Sequence, residues 1–280
     1  MGKMPIARVD CRTVAAFCQG HHAHACSIPV DELPARMHEL PKTSEPLIVY
    51  AGGEDLQKAC EFLSSKGYQV AQAIEWTPLL AANLQAISQL EVGTQSQRLW
   101  QPAPLMARFV TEFMPAHQIQ PGQSLDIGCG AGRDMVYLAM HGWQMTGIDY
   151  IPGALQRAQY LAHSQHVTVT TLQLDLETGE DPFVTFADGQ FALITVARYL
   201  HRPLFPWLKR LLKPGGILIY QTFMQGSEQF GSPRNPNFLL KPGELAQVFA
   251  HTEILLDEVE TLDDGRPVSA FICRQAADCL

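Results

Sequence analysis

Gln123 to Tyr150 reads QSLDIGCGAGRDMVYLAMHGWQMTGIDY, and its pattern is strand, glycine loop, helix, turn, strand. Ser124 to Ile127 is short and mostly apolar, as suits a strand covered on both faces. Gly128, Gly130 and Gly132 then let the backbone turn tightly and keep side chains out from between main chain and ligand. From Asp134 onward, Met135, Leu138 and Ala139 recur at helical spacing. His141-Gly142 stops that helix, and Met145 to Ile148 opens a second buried strand. Asp149 closes it about 20 residues beyond the glycines, where a carboxylate at a strand end can accept both ribose hydroxyls. The stretch predicts a nucleoside-binding βαβ half.

The glycine spacing bears on which nucleoside. A dinucleotide fingerprint has its third glycine one residue later, letting a pyrophosphate sit on the helix N-terminus; Arg133 occupies that place. A bare glycine triplet leaves a dinucleotide site or a structural turn open, and the flanking strand, helix and Asp149 in register narrow the choice. The observed form, Asp126-x-Gly128-x-Gly130-x-Gly132, resembles motif I of the class I S-adenosylmethionine-dependent methyltransferases. The resemblance implies S-adenosylmethionine as cofactor. It also implies that Asp126 helps hold the ligand's amino acid end, while Gly128, Cys129, Gly130 and Gly132 line its backbone. Asp149 and Tyr150 would then meet the ribose.

Downstream the sequence continues in the same pattern. Pro152 to Ala162 predicts a helix opened by proline, and Val167 to Leu174 alternates as a third strand. Asp175-Leu176 closes that strand, and the resemblance gives the acid the adenine amino group and the neighbouring backbone the ring edge. Phe191 to Val196 is a fourth strand ending in Ala197-Arg198-Tyr199-Leu200-His201. There the family places residues facing the transferable methyl, so Ala197 joins the cofactor set, and Tyr199 and His201 are acceptor candidates. His201 is the candidate general base because its ordinary pKa range suits the task. The Asn/Asp-Pro-Pro-aromatic and Pro-Cys motifs of nucleobase-methylating enzymes do not occur at this point. Ile217 to Phe223 predicts a fifth strand. The long polar run Gln225 to Asn237 follows, and its Arg234 is a third acceptor candidate. Glu253 to Leu262 and Val268 to Arg274, joined through Asp263-Asp264-Gly265, predict an antiparallel hairpin. The expected fold is thus α/β: a doubly wound, seven-stranded, mostly parallel sheet with an antiparallel C-terminal hairpin.

Upstream lies a second likeness. Asp10-x-Arg12, Gly20-His21 and Ile28-Pro29 resemble the opening of a rhodanese-like domain over residues 4–77. Val30 to Leu40 would be its amphipathic helix and Leu47 to Tyr50 its central strand. Active members carry a cysteine after that strand, its pKa lowered by surrounding backbone N–H groups and the helix dipole. Here Ala51 stands there, followed by Gly52-Gly53-Glu54-Asp55, so the domain is expected to be inactive. Cys60 lies too far into the next helix and reads as a small buried residue. The cluster His21, His22, His24 and Cys26 lacks a second pair at metal-ligand spacing, so no metal is expected. The expected domains are 1–78 rhodanese-like, 79–98 helix and linker, and 99–280 methyltransferase. Trp100 is either a lid residue or a packed tryptophan.

Composition bounds the function. The chain has 280 residues, long for one domain and comfortable for two, and its 46% apolar content suffices for real cores. A net charge of −8 gives no basic footprint for nucleic acid or an anionic membrane. Seven scattered cysteines and a start without a signal-like apolar core point to the cytoplasm. The motif run is similar to the branch that includes tellurite-resistance methyltransferases. This implies methyl transfer to a small-molecule acceptor, a thiol or chalcogenide, by in-line displacement. The alternative is a regulatory protein that binds the cofactor without turnover and recruits a protein partner through the inert first domain.

Overall fold

The computed structural model describes residues 6–276, which form two compact units dividing between Gln101 and Pro102. In the first unit, β1 (Ala7–Asp10), β3 (Ala25–Ser27), β4 (Leu47–Ala51) and β5 (Val70–Glu75) form a parallel sheet in the order β3-β1-β4-β5. The short β2 (His21–His22) pairs antiparallel with β6 (Leu90–Glu91). Every residue of β4 is buried, the condition of a central parallel strand with cover on both faces. Gly53–Ser65 is the longest helix of this unit, and Ala59 and Leu63 are its buried face. The segment expected as one helix over Val30 to Leu40 is instead three short turns, Val30–Glu32, Leu33–Arg36 and Met37–Glu39. Pro34 removes a backbone donor there, and Arg36 ties the turns together through Glu32 and Glu39.

Residues 79–98 belong to this unit. The helix Pro78–Ala86 is capped by the Thr77 hydroxyl and ends before Ser88, whose φ is +56°. The stretch expected as linker then bonds back: Gly93 N–H donates to Cys18 O, Gln97 N–H to Ala25 O, and Ser27 N–H to the Ser96 hydroxyl. Trp100 is buried, with the Arg98 guanidinium 4.9 Å from its ring. His21 is also buried, stacked on Phe17 at 3.7 Å with Nδ1 at the Phe17 carbonyl. Among the described residues no group of His, Cys, Asp or Glu is arranged to hold a metal ion.

The second unit opens with one continuous helical stretch, Pro104–Arg108, Phe109–Phe113 and Met114–Ala116, whose middle part is a wide π turn. Then come β7 (Gln123–Ile127), β8 (Gln144–Asp149), β9 (Thr170–Gln173), β10 (Phe191–Ala197), β11 (Leu212–Gln221), β12 (Glu253–Thr261) and β13 (Pro267–Arg274). They form one mixed sheet in the order β12-β13-β11-β10-β7-β8-β9. The neighbours from β11 to β9 pair parallel, while β13 runs antiparallel to both β11 and β12. After β9 the chain crosses back to β10 on the far side of β7. The topology therefore reverses between β7 and β10, and a crevice opens at their carboxyl ends. The third strand is shorter than Val167 to Leu174, because His166 (φ +55°) and the turn around it keep Val167 out of the sheet. No helix among the described residues is long and apolar enough to cross a membrane.

Candidate active site

The crevice begins at the loop after β7. Gly128, Gly130 and Gly132 have φ of +69°, +54° and +79°, a region that disfavours side chains. They do different jobs. A Cβ at Gly132 would stand 2.7 Å from Ala158 Cβ, so this glycine lets two helices approach. A Cβ at Gly128 would meet Tyr199 at 3.4 Å. At Gly130 it would meet nothing within 4 Å: bare backbone there faces open space.

Two carboxylates bracket the loop. Asp149, ending β8, accepts from Gly130 N–H and from Ile151 N–H, each at 2.9 Å. Those two donors fix the plane of the carboxylate beside the loop and leave lone pairs for a ligand. Asp126, on β7, is 2% exposed and accepts the Thr195 hydroxyl at 2.8 Å. Burial, then the charges of Asp134 and Asp149, raise its pKa to about 7, against the Thr195 hydrogen bond. Burial also raises Asp134, which accepts Ala103 N–H at 2.7 Å. Two neighbouring acids withdrawn from water are matched to a ligand with a positive end.

A cavity of about 430 Å³ is lined by residues that include Glu177, Arg198, Tyr199, Phe223 and Phe238. Tyr199 therefore stands between the glycine loop and this cavity. Its hydroxyl donates to Glu177 Oε1 at 3.2 Å and its carbonyl accepts from the Tyr220 hydroxyl at 3.0 Å. Burial pushes the Tyr199 phenol up, helped by Glu177, Asp175 and Asp149, so it stays protonated. Asp175 is exposed and accepts Glu177 N–H at 2.9 Å, next to the buried Leu176. Tyr150 is exposed beside Asp149, and Ala197 is the last residue of β10, opposite Gln221. His201 caps the short helical turn Arg202–Leu204, and Arg234 is exposed in the long loop; neither lines the cavity.

Three site features were not singled out from the sequence. Asp134 reads there only as an acid in a helix's first turn. Glu177 sits in a polar run after β9 without a motif around it. Arg198 has φ +58°, which no residue type announces. The loop Gln225 to Asn237 is held by Arg202, which donates to Asn237 O at 2.7 Å and Leu239 O at 2.9 Å while paired with Glu244.

Residues 125–216 match the methyltransferase domain family. The whole chain is similar to an uncharacterized protein of Schizosaccharomyces pombe, 21% identical over 95% of this chain and 93% of that one. An uncharacterized methyltransferase of Synechocystis is 37% identical over 35% of this chain and 46% of its own length. A ubiquinone biosynthesis O-methyltransferase of Erwinia tasmaniensis is 27% identical over 42% and 56%. The chain thus spans about half the length of the methyltransferases it matches. Among solved structures, TehB from Haemophilus influenzae superposes with a TM-score of 0.48 at 19% identity, covering 58% of this chain and 60% of that one. The family match lies on the glycine loop and its sheet, so residues 125–216 of the second unit carry a methyltransferase domain.

Proposed function

We propose that the second unit methylates a small molecule seated in the cavity beside Tyr199, and that the acceptor atom is a thiol or chalcogenide. One observation carries the reading: Tyr199 separates the open glycine cradle from a cavity of ligand size. The residues of the cradle fit the cofactor. Asp126 and Asp134 suit its ammonium, bare backbone at Gly130 suits close approach, and Asp149 suits the ribose hydroxyls. Asp175 and Leu176, beyond β9, would take the adenine. When bound, S-adenosylmethionine supplies a methyl on a sulfonium, open to in-line displacement by a nucleophile.

The protein's part is alignment and exclusion of water. Tyr199, kept protonated by burial and by its acidic neighbours, orients rather than deprotonates. Glu177 is committed to the Tyr199 hydroxyl, and no histidine lines the cavity. A soft acceptor that already arrives as a nucleophile fits such a lining better than an amine or hydroxyl needing a base. Arg234 would act only after movement of the loop that Arg202 holds, and His201, outside the cavity lining, is not placed to act as base.

The first unit we read as a rhodanese-like domain without sulfurtransferase activity. Support comes from its parallel sheet, from Ala51 ending the buried β4, and from Glu54 and Asp55 in the first turn of the helix that follows. The test of the whole proposal is binding of S-adenosylmethionine by calorimetry, followed by product analysis with thiols, selenide and tellurite-derived anions, amines and phenols. Turnover confined to amines or phenols would overturn the acceptor assignment, and binding without turnover of any would overturn the transfer reading.

A further inference from the structure

We infer that the acceptor carries a fixed carboxylate on a flat apolar body, and that Arg198 is the residue that selects it. The inference rests on the methyl-transfer reading and narrows the class of molecule its cavity takes. Arg198 follows the last residue of β10. Its φ of +58° is a conformation that arginine rarely adopts, and strain of this kind in a folded chain is a pointer to function. The position is fixed, because its N–H donates to Gln221 O at 2.6 Å across the strand ends.

The guanidinium lines the cavity, is exposed, and has no hydrogen-bond or ion-pair partner among the described residues. Its Cζ lies 5.9 Å from the centroid of the Phe223 ring. Asp134 and Asp264 feel its charge without bonding to it. The other charges nearby are committed. Glu177 accepts the Tyr199 hydroxyl. Arg266, whose Cζ lies 4.5 Å from the centroid of the same Phe223 ring, is bound to Asp264 at 2.7 Å and to the Ser232 carbonyl. The remaining walls are the apolar Leu200, Phe223, Pro233 and Phe238, with the uncharged Thr222 and Ser232 between them. One uncommitted planar cation over aromatic walls suits a ring-bearing carboxylate, which the guanidinium fork can engage with two parallel hydrogen bonds.

The competing role for Arg198 is the carboxylate of the cofactor itself, and the experiment separates the two. Two benzylic thiols serve as probes, 4-(sulfanylmethyl)benzoate and 4-methylphenylmethanethiol, which differ only in carrying a carboxylate or a methyl at the para position. Their binding to the full chain saturated with S-adenosylhomocysteine is measured by calorimetry for wild type, Arg198→Gln and Arg198→Lys. The carboxylate probe should bind about tenfold tighter than its methyl counterpart to wild type, a preference lost in Arg198→Gln and partly kept in Arg198→Lys. Affinity for S-adenosylhomocysteine should be the same in all three. Equal binding of the two probes to wild type, no binding of either, or a preference that survives Arg198→Gln would overturn the assignment. A fall in S-adenosylhomocysteine affinity in Arg198→Gln would overturn it too, giving the guanidinium to the cofactor. Failure of the methyl-transfer reading is a separate result: the carboxylate probe binds with preference, yet S-adenosylmethionine yields no S-methyl product.

Discussion

Replacing Asp126 by Asn should remove much of the pH dependence of the cofactor-free protein's stability and weaken cofactor binding in the same stroke. Asp126 is raised from the ordinary 3.8 to about 7, mainly by burial. In the unfolded chain it loses its proton near the ordinary value. Between those two values the folded protein therefore binds more protons than the unfolded one, and its stability falls as pH rises. At about 1.4 kcal/mol per pH unit, the penalty is roughly 1.5 kcal/mol at about pH 5 and levels off on the order of 4 kcal/mol above about pH 7. Asparagine has the same shape and its Oδ1 still accepts the Thr195 hydroxyl, but it does not ionise. An amide donor left without a partner costs about 1–3 kcal/mol at every pH, so the sign of the net change is not the test. The test is the change of the difference. From about pH 5 to about pH 8 the variant should gain roughly 2–3 kcal/mol on wild type, or about 5–10 °C in Tm.

Thermal melts of the two proteins without cofactor read this directly. A Tm difference that stays constant across the range would refute the assignment of a high pKa to Asp126. The binding arm uses the same logic. An ammonium needs the carboxylate ionised, so wild type should release a proton on binding S-adenosylmethionine below about pH 7. Calorimetry in buffers of different ionisation enthalpy measures that proton. The Asn variant should show none, and should bind at least about tenfold more weakly.

Gly130→Ala and Gly132→Ala should fail in opposite ways. The first leaves the protein destabilised by only about 1 kcal/mol, from its positive φ, yet lowers cofactor affinity by more than about tenfold, because its Cβ fills the space for the ligand. The second, with its Cβ 2.7 Å from Ala158, should lower Tm first, and melts beside calorimetry separate the two. Asp149→Ala should weaken S-adenosylmethionine by about tenfold or more through lost charge-assisted hydrogen bonds; unchanged calorimetric binding would remove Asp149 from the ribose role. Arg202→Met frees the carbonyls of Asn237 and Leu239, so limited proteolysis should cut within 225–238 faster than in wild type. Equal cleavage rates would mean that the loop is held elsewhere.

The parts of the second unit that were legible in the sequence are those where local and long-range demands coincide. At Gln123–Asp149 apolar strands, positive-φ glycines and a strand-end acid each need a particular residue type at a particular place. The hairpin of β12 and β13 was legible for the same reason, since Asp264-Gly265 is itself a turn signal. Where one residue served two masters, the reading went astray. The rhodanese-like resemblance implies one helix over Val30 to Leu40, but Pro34 and the Arg36 ion pairs leave it as short turns. Glu91 to Arg98 is polar enough for a linker, yet its backbone donors find acceptors at Cys18 and Ala25. Arg198 was invisible as a strained residue because its φ comes from the strand end and the Gln221 carbonyl, not from its own side chain.

The placement of charge in the second unit leads to an argument about division of labour. The acids gather on the cradle side, where Asp126, Asp134 and Asp149 suit a cofactor that is positive at both its ammonium and its sulfonium. Across Tyr199 the uncommitted charge is the cation of Arg198. An anionic acceptor is thereby drawn to one side and a cationic donor to the other, and Tyr199, neutral and packed against Gly128, divides them. Methyl transfer from a sulfonium to an anion destroys charge on both reactants. The cofactor's ammonium and the acceptor's carboxylate keep their charges through the step, so the acids and Arg198 act on capture rather than on the transfer itself. Arg198→Gln should then slow capture of a carboxylate-bearing acceptor more than its chemical step, raising KM with kcat little changed. A variant that lowers kcat with KM intact would place Arg198 at the reacting atoms instead.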